Sequence, residues 1–227
     1  MRLLAIDTAT ELCAVALTEG RELVAEYRLN RKNMHNEKLV QAVQQIAADA
    51  EWPLNTLDGI AVSIGPGSFT GLRIGLSVVK GLAFSLDVPV AAVNTLDALA
   101  FGNYFWSGQV CAVIKARQEE LYIARYDNGD PLRRISDYEI ITNSEFGELL
   151  QEPALVVPNP VTLVDVLRSS HALFAPPAAS LASAFKIAQL GYEKFLAEET
   201  EDTEMLEPFY LKEFQPKKKK DYAESGN

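Results

Sequence analysis

The sequence has few of the residues from which disulfide frameworks and metal centres are built. Only two cysteines occur in 227 residues. Cys13 and Cys111 are each flanked by apolar, strand-like residues, which predicts buried reduced thiols rather than a disulfide or a metal pair. The two histidines, His35 and His171, stand in neither a His-x-x-x-His nor a His-Glu-x-x-His context, which argues against the helical zinc motifs. We interpret His35 as a helix-entry residue and His171 as a loop residue.

Long apolar runs and an excess of positive charge are also missing. No apolar run is expected to be long enough to cross a bilayer, and Asp7 comes too early for the apolar core of a signal peptide. We therefore expect a cytoplasmic protein without a membrane partner. The formal net charge of −10 argues against RNA binding by the globular body, because phosphate contacts need clustered Lys and Arg. Residues 217–220 are four consecutive lysines, which either touch RNA or form a solvated chain end.

A glycine-rich turn is the most informative segment that is present. Residues 65–75 read GPGSFTGLRIG and follow a strand-like run. Gly65 and Gly67 permit a positive φ and a close approach of the backbone, and Ser68 or Thr70 can cap the helix that follows. Free N–H groups at such a helix start can bind an anion. The alternative is a tight strand-to-helix turn, because neither a Walker loop nor a Gly-x-Gly-x-x-Gly dinucleotide loop is present.

Periodicity predicts an order of strands and helices that occurs twice. The first half is expected to contain strands at 2–7, 12–18, 22–29 and 57–64 and helices at 39–50 and after residue 68. The second half repeats this order more weakly, with strands at 111–114, 121–126, 135–141 and 154–157 and helices at 144–150 and 180–196. Residues 198–207 carry six acids in ten positions and are predicted to be a linker. The tail after residue 214 is predicted to be disordered.

The sequence of the glycine turn resembles that of the TsaB family. This family comprises non-catalytic proteins of tRNA threonylcarbamoyladenosine synthesis that are related to the transferase TsaD. Residues 6–10 (IDTAT) are similar to the opening strand of that family, and residues 95–100 (TLDALA) are similar to its Thr-Leu-x-x-Leu-Ala segment. The resemblance covers residues 1 to about 125. Beyond that point it is carried by residues 208–212 (PFYLK), which are similar to a closing Pro-x-Tyr-Leu-Arg.

The chain departs from the family pattern in three places. Lys115-Ala116-Arg117 stands where the family has Asp-Ala-Arg, so the acid is lost while Arg117, Glu120 and Tyr122 are kept. Pro158-Asn159-Pro160 replaces a Gly-Asp-Gly turn, which removes backbone donors and makes a ligand there improbable. His35-Asn36-Glu37 replaces His-Ser-Glu, a mild change because Asn caps helices about as well as Ser.

The resemblance implies an α/β fold of two RNase H-like domains of the actin/Hsp70 (ASKHA) superfamily. We place the first domain at residues 1–103, a reduced second domain at 104–197, and an acidic linker, C-terminal segment and lysine-rich tail at 198–227. In that superfamily a nucleotide binds between the domains, and an acid at the position of Asp7 helps to place magnesium. Here Ala9 hinders phosphate approach, and Glu119 and Glu120 repel phosphate. We therefore interpret Asp7 as a structural cap or solvated acid, with a metal ligand as the alternative.

The function that the resemblance implies is that of a non-enzymatic subunit without a cofactor or metal of its own. Such a subunit binds and stabilises TsaD, in an assembly with TsaE, for formation of N6-threonylcarbamoyladenosine at position 37 of tRNAs that read ANN codons. It meets tRNA only through the complex, whose transferase holds its metal through a His-x-x-x-His pair that this chain lacks. The alternative is an ASKHA-type enzyme, a small-molecule kinase or a glycoprotease-like hydrolase, which uses the interdomain cleft. Asp7 and the glycine turn are the support for that alternative.

The resemblance also implies that the helices of the first domain dock against TsaD. Core packing competes for the apolar residues of these helices. In isolation, we expect the same helices to form a homodimer, because an apolar surface meant for another subunit tends not to stay solvated. The predicted interface residues are Leu39, Val43, Ile46, Phe69, Thr70, Arg73, Ser77 and Lys80.

Overall fold

A computed structural model describes residues 1–30, 35–129 and 131–211, apart from the side chains of residues 35–37. Its first sheet has the strand order β3-β2-β1-β4-β5. β1 to β3 form an antiparallel meander, and β4 and β5 lie parallel to β1. This confirms the strands expected in the first half and adds β5. The five strands are β1 (Arg2–Asp7), β2 (Leu12–Glu19), β3 (Glu22–Asn30), β4 (Gly59–Gly65) and β5 (Val90–Asn94).

Within the described residues, the α-helices that accompany the sheets are α1 (His35–Asp49), α2 (Phe69–Leu86), α3 (Thr95–Ala100), α4 (Phe146–Leu149) and α5 (Ala184–Leu196). Alternate residues of β1 face opposite sides of the first sheet. On one side, Leu4 and Ile6 share a core with α1 and α2. On the other side, Ala5 packs with α5. The first sheet is therefore the middle layer of three.

The second sheet has the order β11-β10-β6-β7-β8, and β9 also pairs with β7. The prediction of a single strand at 135–141 is wrong, because one short strand ends before this stretch, at Arg134, and the next begins only at Glu139. Between them, the Ser136 hydroxyl accepts from the Arg125 amide and donates to the Asp137 carbonyl, which turns the chain. β11 was not expected. The strands are β6 (Gln109–Lys115), β7 (Glu120–Asp127), β8 (Arg133–Arg134), β9 (Glu139–Thr142), β10 (Ala154–Asn159) and β11 (Ala172–Phe174).

The position of α5 corrects the predicted domain boundary at residue 197. The predicted boundary places this helix in the second domain, whereas it packs on the first sheet together with Ala5 and Ala61. Small residues allow this contact, since a Cβ added to Gly191 would lie 2.5 Å from the Cβ of Ala61. The chain thus returns to its first sheet after completing the second.

The segment 198–211 packs against the first half of the molecule, although the acidity of residues 198–207 predicts a linker. The Glu201 amide donates to the Val90 carbonyl at 2.8 Å, so the segment pairs with the outer edge of β5. Leu206 is 4% exposed and belongs to the core beneath α1 and α2. Two further predictions, a disordered tail after residue 214 and a role for residues 217–220, fall outside the described residues.

Helix α3 joins the two sheets. The Asn94 side chain caps it by accepting from the Leu96 amide at 2.9 Å. The carboxylate of Asp97 then accepts from the hydroxyls of Tyr126 and Tyr138, each at 2.8 Å. Burial raises the pKa of Asp97, while the two tyrosine hydrogen bonds lower it in part. This partly buried network fixes the second sheet against the connection from the first.

Candidate functional site

A cleft of about 760 Å³ lies between the two sheets. The first half contributes the β1–β2 hairpin and the start of α2, and the second half contributes the ends of β6 and β10. This is the place where the ASKHA plan predicts a nucleotide. The lining residues include Ala9, Thr10, Glu11, Ser68, Thr70, Lys115, Arg117, Glu120, Tyr122, Asn159, Thr162, Ser180 and Tyr210.

The glycine turn uses its special geometry for packing inside the protein. Gly65 has a φ of +114°, a conformation that side chains disfavour. A Cβ on Gly67 would lie 2.1 Å from the carbonyl oxygen of Ala9. The Ser68 amide donates to that same carbonyl at 2.7 Å, and the Gly71 amide donates to the Ser68 hydroxyl at 3.2 Å. Two donors at the helix start are therefore already used, which favours the tight-turn interpretation over an anion cradle.

Helix α2 continues this close packing for two more turns. A Cβ on Gly71 would lie 2.1 Å from the Thr8 carbonyl oxygen, and one on Gly75 would lie 2.2 Å from the Thr8 hydroxyl. The Thr8 hydroxyl donates to the Gly71 carbonyl at 2.8 Å. The spacing of Gly67, Gly71 and Gly75 thus places one glycine per turn against the β1–β2 hairpin. The motif that resembled a ligand loop is a helix–hairpin contact.

The buried carboxylate of Asp7 stabilises the same β1–β2 hairpin through hydrogen bonds. It is 2% exposed, so the interpretation as a solvated acid is wrong. Its Oδ1 accepts from the Ala9 amide at 3.0 Å and from the Ser63 hydroxyl at 2.7 Å. These bonds are those of a structural cap on the turn after β1. Among the residues that the structure describes, no group of three or more His, Cys, Asp or Glu side chains could hold a metal ion.

The second-half wall of the cleft carries mixed charge. Lys115 and Arg117 bring positive charge, and Glu120 brings negative charge to the same wall. The Asn159 side chain is used within the fold, because its amide donates to the Ser180 carbonyl at 3.0 Å. The turn that replaces Gly-Asp-Gly therefore contributes to internal structure.

The two cysteines are free and buried, as predicted. Burial, followed by the charge of Asp7, raises the pKa of Cys13 to about 11. Burial also raises the pKa of Cys111 to about 12. Both thiols therefore stay protonated near neutral pH, which is unsuited to nucleophilic work.

Three of the eight predicted interface residues are wrong. Leu39, Val43 and Ile46 are between 0% and 1% exposed and lie in the core between α1 and the first sheet. Their spacing is that of a core stripe, and the sheet occupies it completely. A partner cannot reach these side chains while the protein is folded.

The other five predicted residues lie on or beside the outer face of α2. Thr70, Arg73 and Ser77 are exposed, and Phe69 and Lys80 are half-buried. Two of them already hold the C-terminal segment. Arg73 Nε donates to the Tyr210 hydroxyl at 3.1 Å, and Lys80 Nζ donates to the Glu204 carbonyl at 3.1 Å.

Sequence reasoning missed two aromatic residues at this surface. Phe84 is 89% exposed and continues the outer stripe of Thr70, Arg73 and Ser77 at helical spacing. That spacing could have identified it. Tyr210 lies within the closing motif of the resemblance, and its position beside Arg73 is set by long-range packing.

The composition of α2 corrects another expectation. By length and composition alone this helix is apolar enough to cross a membrane, so the prediction that no run approaches that length is wrong. In the fold one third of the helix is buried, and it carries no acidic residue. Its open face is formed mainly by polar residues and glycine, and Phe84 is the large apolar side chain exposed there.

The fold and this surface define a mixed α/β protein with two sheets and a partly exposed, acid-free helix. The family model TsaD, described as tRNA N6-adenosine threonylcarbamoyltransferase, matches residues 22–212. A Bacillus subtilis protein named tRNA threonylcarbamoyladenosine biosynthesis protein TsaB is 33% identical over 67% of this chain and 67% of its own length. The chain belongs to the TsaB family, within the wider family that the TsaD model describes.

Other relatives agree with this membership. The Escherichia coli protein of the same name is 39% identical, and the match spans 57% of each chain, so little more than half of that relative is covered. YeaZ from Pseudomonas aeruginosa has a TM-score of 0.81 at 29% identity, over 92% of this chain and 99% of that chain. An activator of a dehydratase from Clostridium difficile, with a TM-score of 0.51 at 9% identity and 89% and 99% coverage, shares the fold alone.

Proposed function

We propose that this chain is a non-catalytic subunit that binds and stabilises the transferase TsaD during formation of N6-threonylcarbamoyladenosine at position 37 of tRNA. The observation that carries the proposal is the outer face of α2, where Phe84 is 89% exposed on an apolar helix without acidic residues. The relatives named TsaB are proteins of threonylcarbamoyladenosine biosynthesis by name. An assembly with TsaE, and contact with tRNA through that assembly, belong to the same proposal.

The cleft supports a role without chemistry of its own. In the ASKHA plan, the β1 hairpin and the following turns receive phosphate groups. Here the carbonyl of Ala9 is covered by the start of α2, and Asp7 is occupied by the hairpin amide and Ser63. A nucleotide would have to displace these internal bonds. We therefore assign cofactor and chemistry to the partner, and we interpret the two sheets as two RNase H-like domains, of which the second is reduced.

The exposed face of α2 also supports self-association when the partner is absent. Phe84 is 89% exposed, and two copies that meet through this face across a two-fold axis would bury this side chain in each copy. The dimer that we propose uses the α2 face, because the core residues of α1 are inaccessible.

Co-purification of TsaD with this chain as bait tests the proposal. Phe84→Ala is expected to weaken the complex at least tenfold, since an exposed aromatic side chain at an interface is a common anchor. Tyr104→Ala is the matched control, because Tyr104 is an aromatic residue that is 72% exposed on the other half of the molecule. Equal retention of TsaD by both variants would place the interface elsewhere.

Arg73→Glu gives a second, independent reading of the same face. A reversed charge in an interface costs several kcal/mol, roughly a hundredfold or more in affinity. Melting temperature, TsaD retention and modified adenosine in cells that depend on the variant are measured together. A folded Arg73→Glu protein that retains TsaD and supports normal modification would contradict the assignment. Loss of folding would assign Arg73 to internal structure.

A further inference from the structure

Strand β3 (Glu22–Asn30) forms one outer edge of the first sheet. It stands first in the order β3-β2-β1-β4-β5, so β2 is its single strand partner among the described residues. The other edge, at β5, is partly covered, because the Glu201 amide donates to the Val90 carbonyl at 2.8 Å. Along β3, the backbone N–H and C=O groups that point away from β2 meet no strand of the described chain. β3 is therefore the open edge of the first sheet.

The side chains of β3 are apolar for a strand at a sheet edge. Leu23, Val24, Tyr27 and Leu29 are between 36% and 45% exposed. Lys and Pro, which commonly protect sheet edges from pairing, do not occur in this strand. An apolar edge of nine residues without these protecting residues is a typical site for the addition of another strand.

Residues 25–30 are the regular part of this edge, because the register of β3 on β2 shifts just before Ala25. From there, alternate side chains face opposite sides of the sheet. Ala25 packs on the core beneath α1, and the Tyr27 hydroxyl donates to the Asp49 carboxylate of α1. On the other side, Glu26 Oε1 accepts from a backbone amide of α5 at 3.1 Å. A strand that continues the sheet must match this alternation.

The α5 side of the edge carries two opposite charges in a fixed order. Arg28 Nη2 lies 2.6 Å from Glu26 Oε2, which makes an ion pair along the strand. The Ser183 hydroxyl, at the start of α5, holds both side chains, because it accepts from Arg28 at 2.9 Å and donates to Glu26 at 2.8 Å. An antiparallel strand of the same sequence presents these two charges in the reverse order.

Three other charged residues near this pair lie outside the regular edge. Glu22 precedes the register shift, and Asp49 lies on the α1 side. The Lys186 amine, on the α5 side, donates to two backbone carbonyls within the protein. Among the described residues, Glu26 and Arg28 therefore set the charge pattern that a pairing strand meets.

These charges select one register for pairing with β3 of a second copy. Across a two-fold axis perpendicular to the sheet, the two strands run antiparallel, and each residue lies opposite one on the same face. With the axis at Tyr27, Glu26 of each copy lies opposite Arg28 of the other. Ala25 then lies opposite Leu29. With the axis at Glu26 or at Arg28, two like charges lie directly opposite each other, which is destabilising.

We propose that the β3 strands of two copies pair antiparallel in the register centred on Tyr27, which joins two five-stranded sheets into one continuous sheet. The occupant of the open edge is thus a second copy of this chain. α1 lies over β3, and α2 lies beyond it over β1 and β4. The contact is therefore separate from the α2 face, and it goes beyond the proposed function because it leaves that face free for TsaD.

Disulfide cross-linking of the full chain tests the register. The axis places residue 27 of the two copies about 4.5–5.5 Å apart between Cα atoms, within the range that a disulfide spans. Tyr27→Cys is therefore expected to give a covalent dimer under mild oxidation. Leu23→Cys is the matched control, because Leu23 is 45% exposed on the same strand, but its two copies would lie about 26 Å apart. Cys13 and Cys111 are buried, so they should contribute little background.

Sedimentation measurements test the pairing without an added cysteine. The chain carries Phe84→Ala, so that self-association through α2 does not contribute. In this background, Leu29→Lys is expected to weaken the dimer by roughly tenfold or more, because a lysine at a sheet edge opposes strand addition. Val166→Lys is the matched control, since Val166 is 49% exposed in the other half of the molecule. Melting temperatures establish that each variant is folded.

The results separate this inference from the proposed function. A cross-link at residue 27 but not at residue 23, with a weaker dimer for Leu29→Lys, supports the proposed register. Equal cross-linking at both positions, or a dimer that Leu29→Lys leaves unchanged, would overturn it. A Phe84→Ala chain that stays monomeric at its highest soluble concentration would overturn it as well. Retention of TsaD is measured in parallel and should be equal for Leu29→Lys and Val166→Lys, whereas its loss in Phe84→Ala reports on α2.

Discussion

Helices α1 and α2 lie side by side on the same face of the first sheet, yet they meet the structure beneath them in different ways. α1 packs through large residues, and Leu39, Val43 and Ile46 are at most 1% exposed. α2 begins with glycines that meet the β1–β2 hairpin, buries Val79 in the same core further along, and leaves Phe84 89% exposed. Both helices thus contribute large residues to the core, and the start of α2 adds a contact that has room only for glycine.

The difference follows from what lies beneath each helix. Under α2, the β1–β2 hairpin comes so close that Thr8 and Ala9 leave room only for glycine. Glycines at this contact allow the start of α2 to approach the hairpin closely, while Leu76 and Val79 of the same helix are buried in the core shared with α1. An apolar stripe in the sequence therefore does not by itself identify a docking surface, because the neighbour decides which stripe is buried.

The largest expected effect comes from Gly71→Ala. The added Cβ would lie 2.1 Å from the Thr8 carbonyl oxygen, a backbone atom that cannot rotate away. We expect a loss of about 4 kcal/mol or more in the free energy of unfolding, above the usual cost of overpacking. Urea denaturation measures it. A loss below about 1 kcal/mol would mean that the hairpin can move and that the close contact does not define the role of α2.

Leu39→Ala tests the role of α1 as a helix that packs its large residues in the core. Leu39 is fully buried in the core, so its truncation should cost about 2–5 kcal/mol through lost burial and a cavity. Val40→Ala is the matched control on the next residue, because Val40 is 47% exposed and should change stability by less than about 0.5 kcal/mol. If both variants had the same melting temperature, Leu39 would not be the core residue described above. Leu39→Glu, by contrast, would unfold the protein and could not report on a dimer interface.

Much of the first half could be predicted from sequence, because its signals are local. The alternation of β1 to β3 and the cap at Ser68 need only neighbouring residues, whereas no helix was predicted at 95–100, where α3 lies. The use of each face could not be predicted so simply. The burial of Leu39, the return of α5 to the first sheet and the position of Tyr210 depend on contacts between residues far apart in the chain.

The glycine turn shows the same limit within one motif. Its strand, cap and helix were expected, and Ser68 is the cap. The sequence alone left an anion cradle and a tight turn as alternatives, because both need glycine for close approach. The structure decides between these alternatives. The group that approaches Gly67 is the Ala9 carbonyl of the protein itself, which favours the tight turn.

Helix α5, on the opposite face of the first sheet, carries a half-buried charge at Lys186. Burial, followed by the charge of Arg28, lowers the pKa of Lys186 to about 8 from about 10.5. Between these values the unfolded chain binds more protons than the folded one, so the free energy of unfolding should rise with pH. From pH 8 to 9.5 we expect a rise of about 1–2 kcal/mol in wild type that is absent in Lys186→Met. The two stability curves, measured by denaturation at each pH, would be parallel if Lys186 did not titrate in this range.

The smallest effect is the sharpest test of why α2 carries glycines. Gly81 lies on the exposed side of the same helix, and an added Cβ there would meet nothing within 4 Å. Gly81→Ala should therefore stabilise the protein by about 0.5–1 kcal/mol, because alanine restricts the unfolded chain and favours the helix. Gly71→Ala is the same substitution two to three turns away on the same helix. If the two changes in the free energy of unfolding have opposite signs, the contact with Thr8 is the cause of the destabilisation at residue 71. Destabilisation by Gly81→Ala in the isolated protein would show that glycine is required on the outer face as well. That result would make the open face of α2 part of a surface already covered in solution, as in the proposed dimer, and dilution would then reduce the effect.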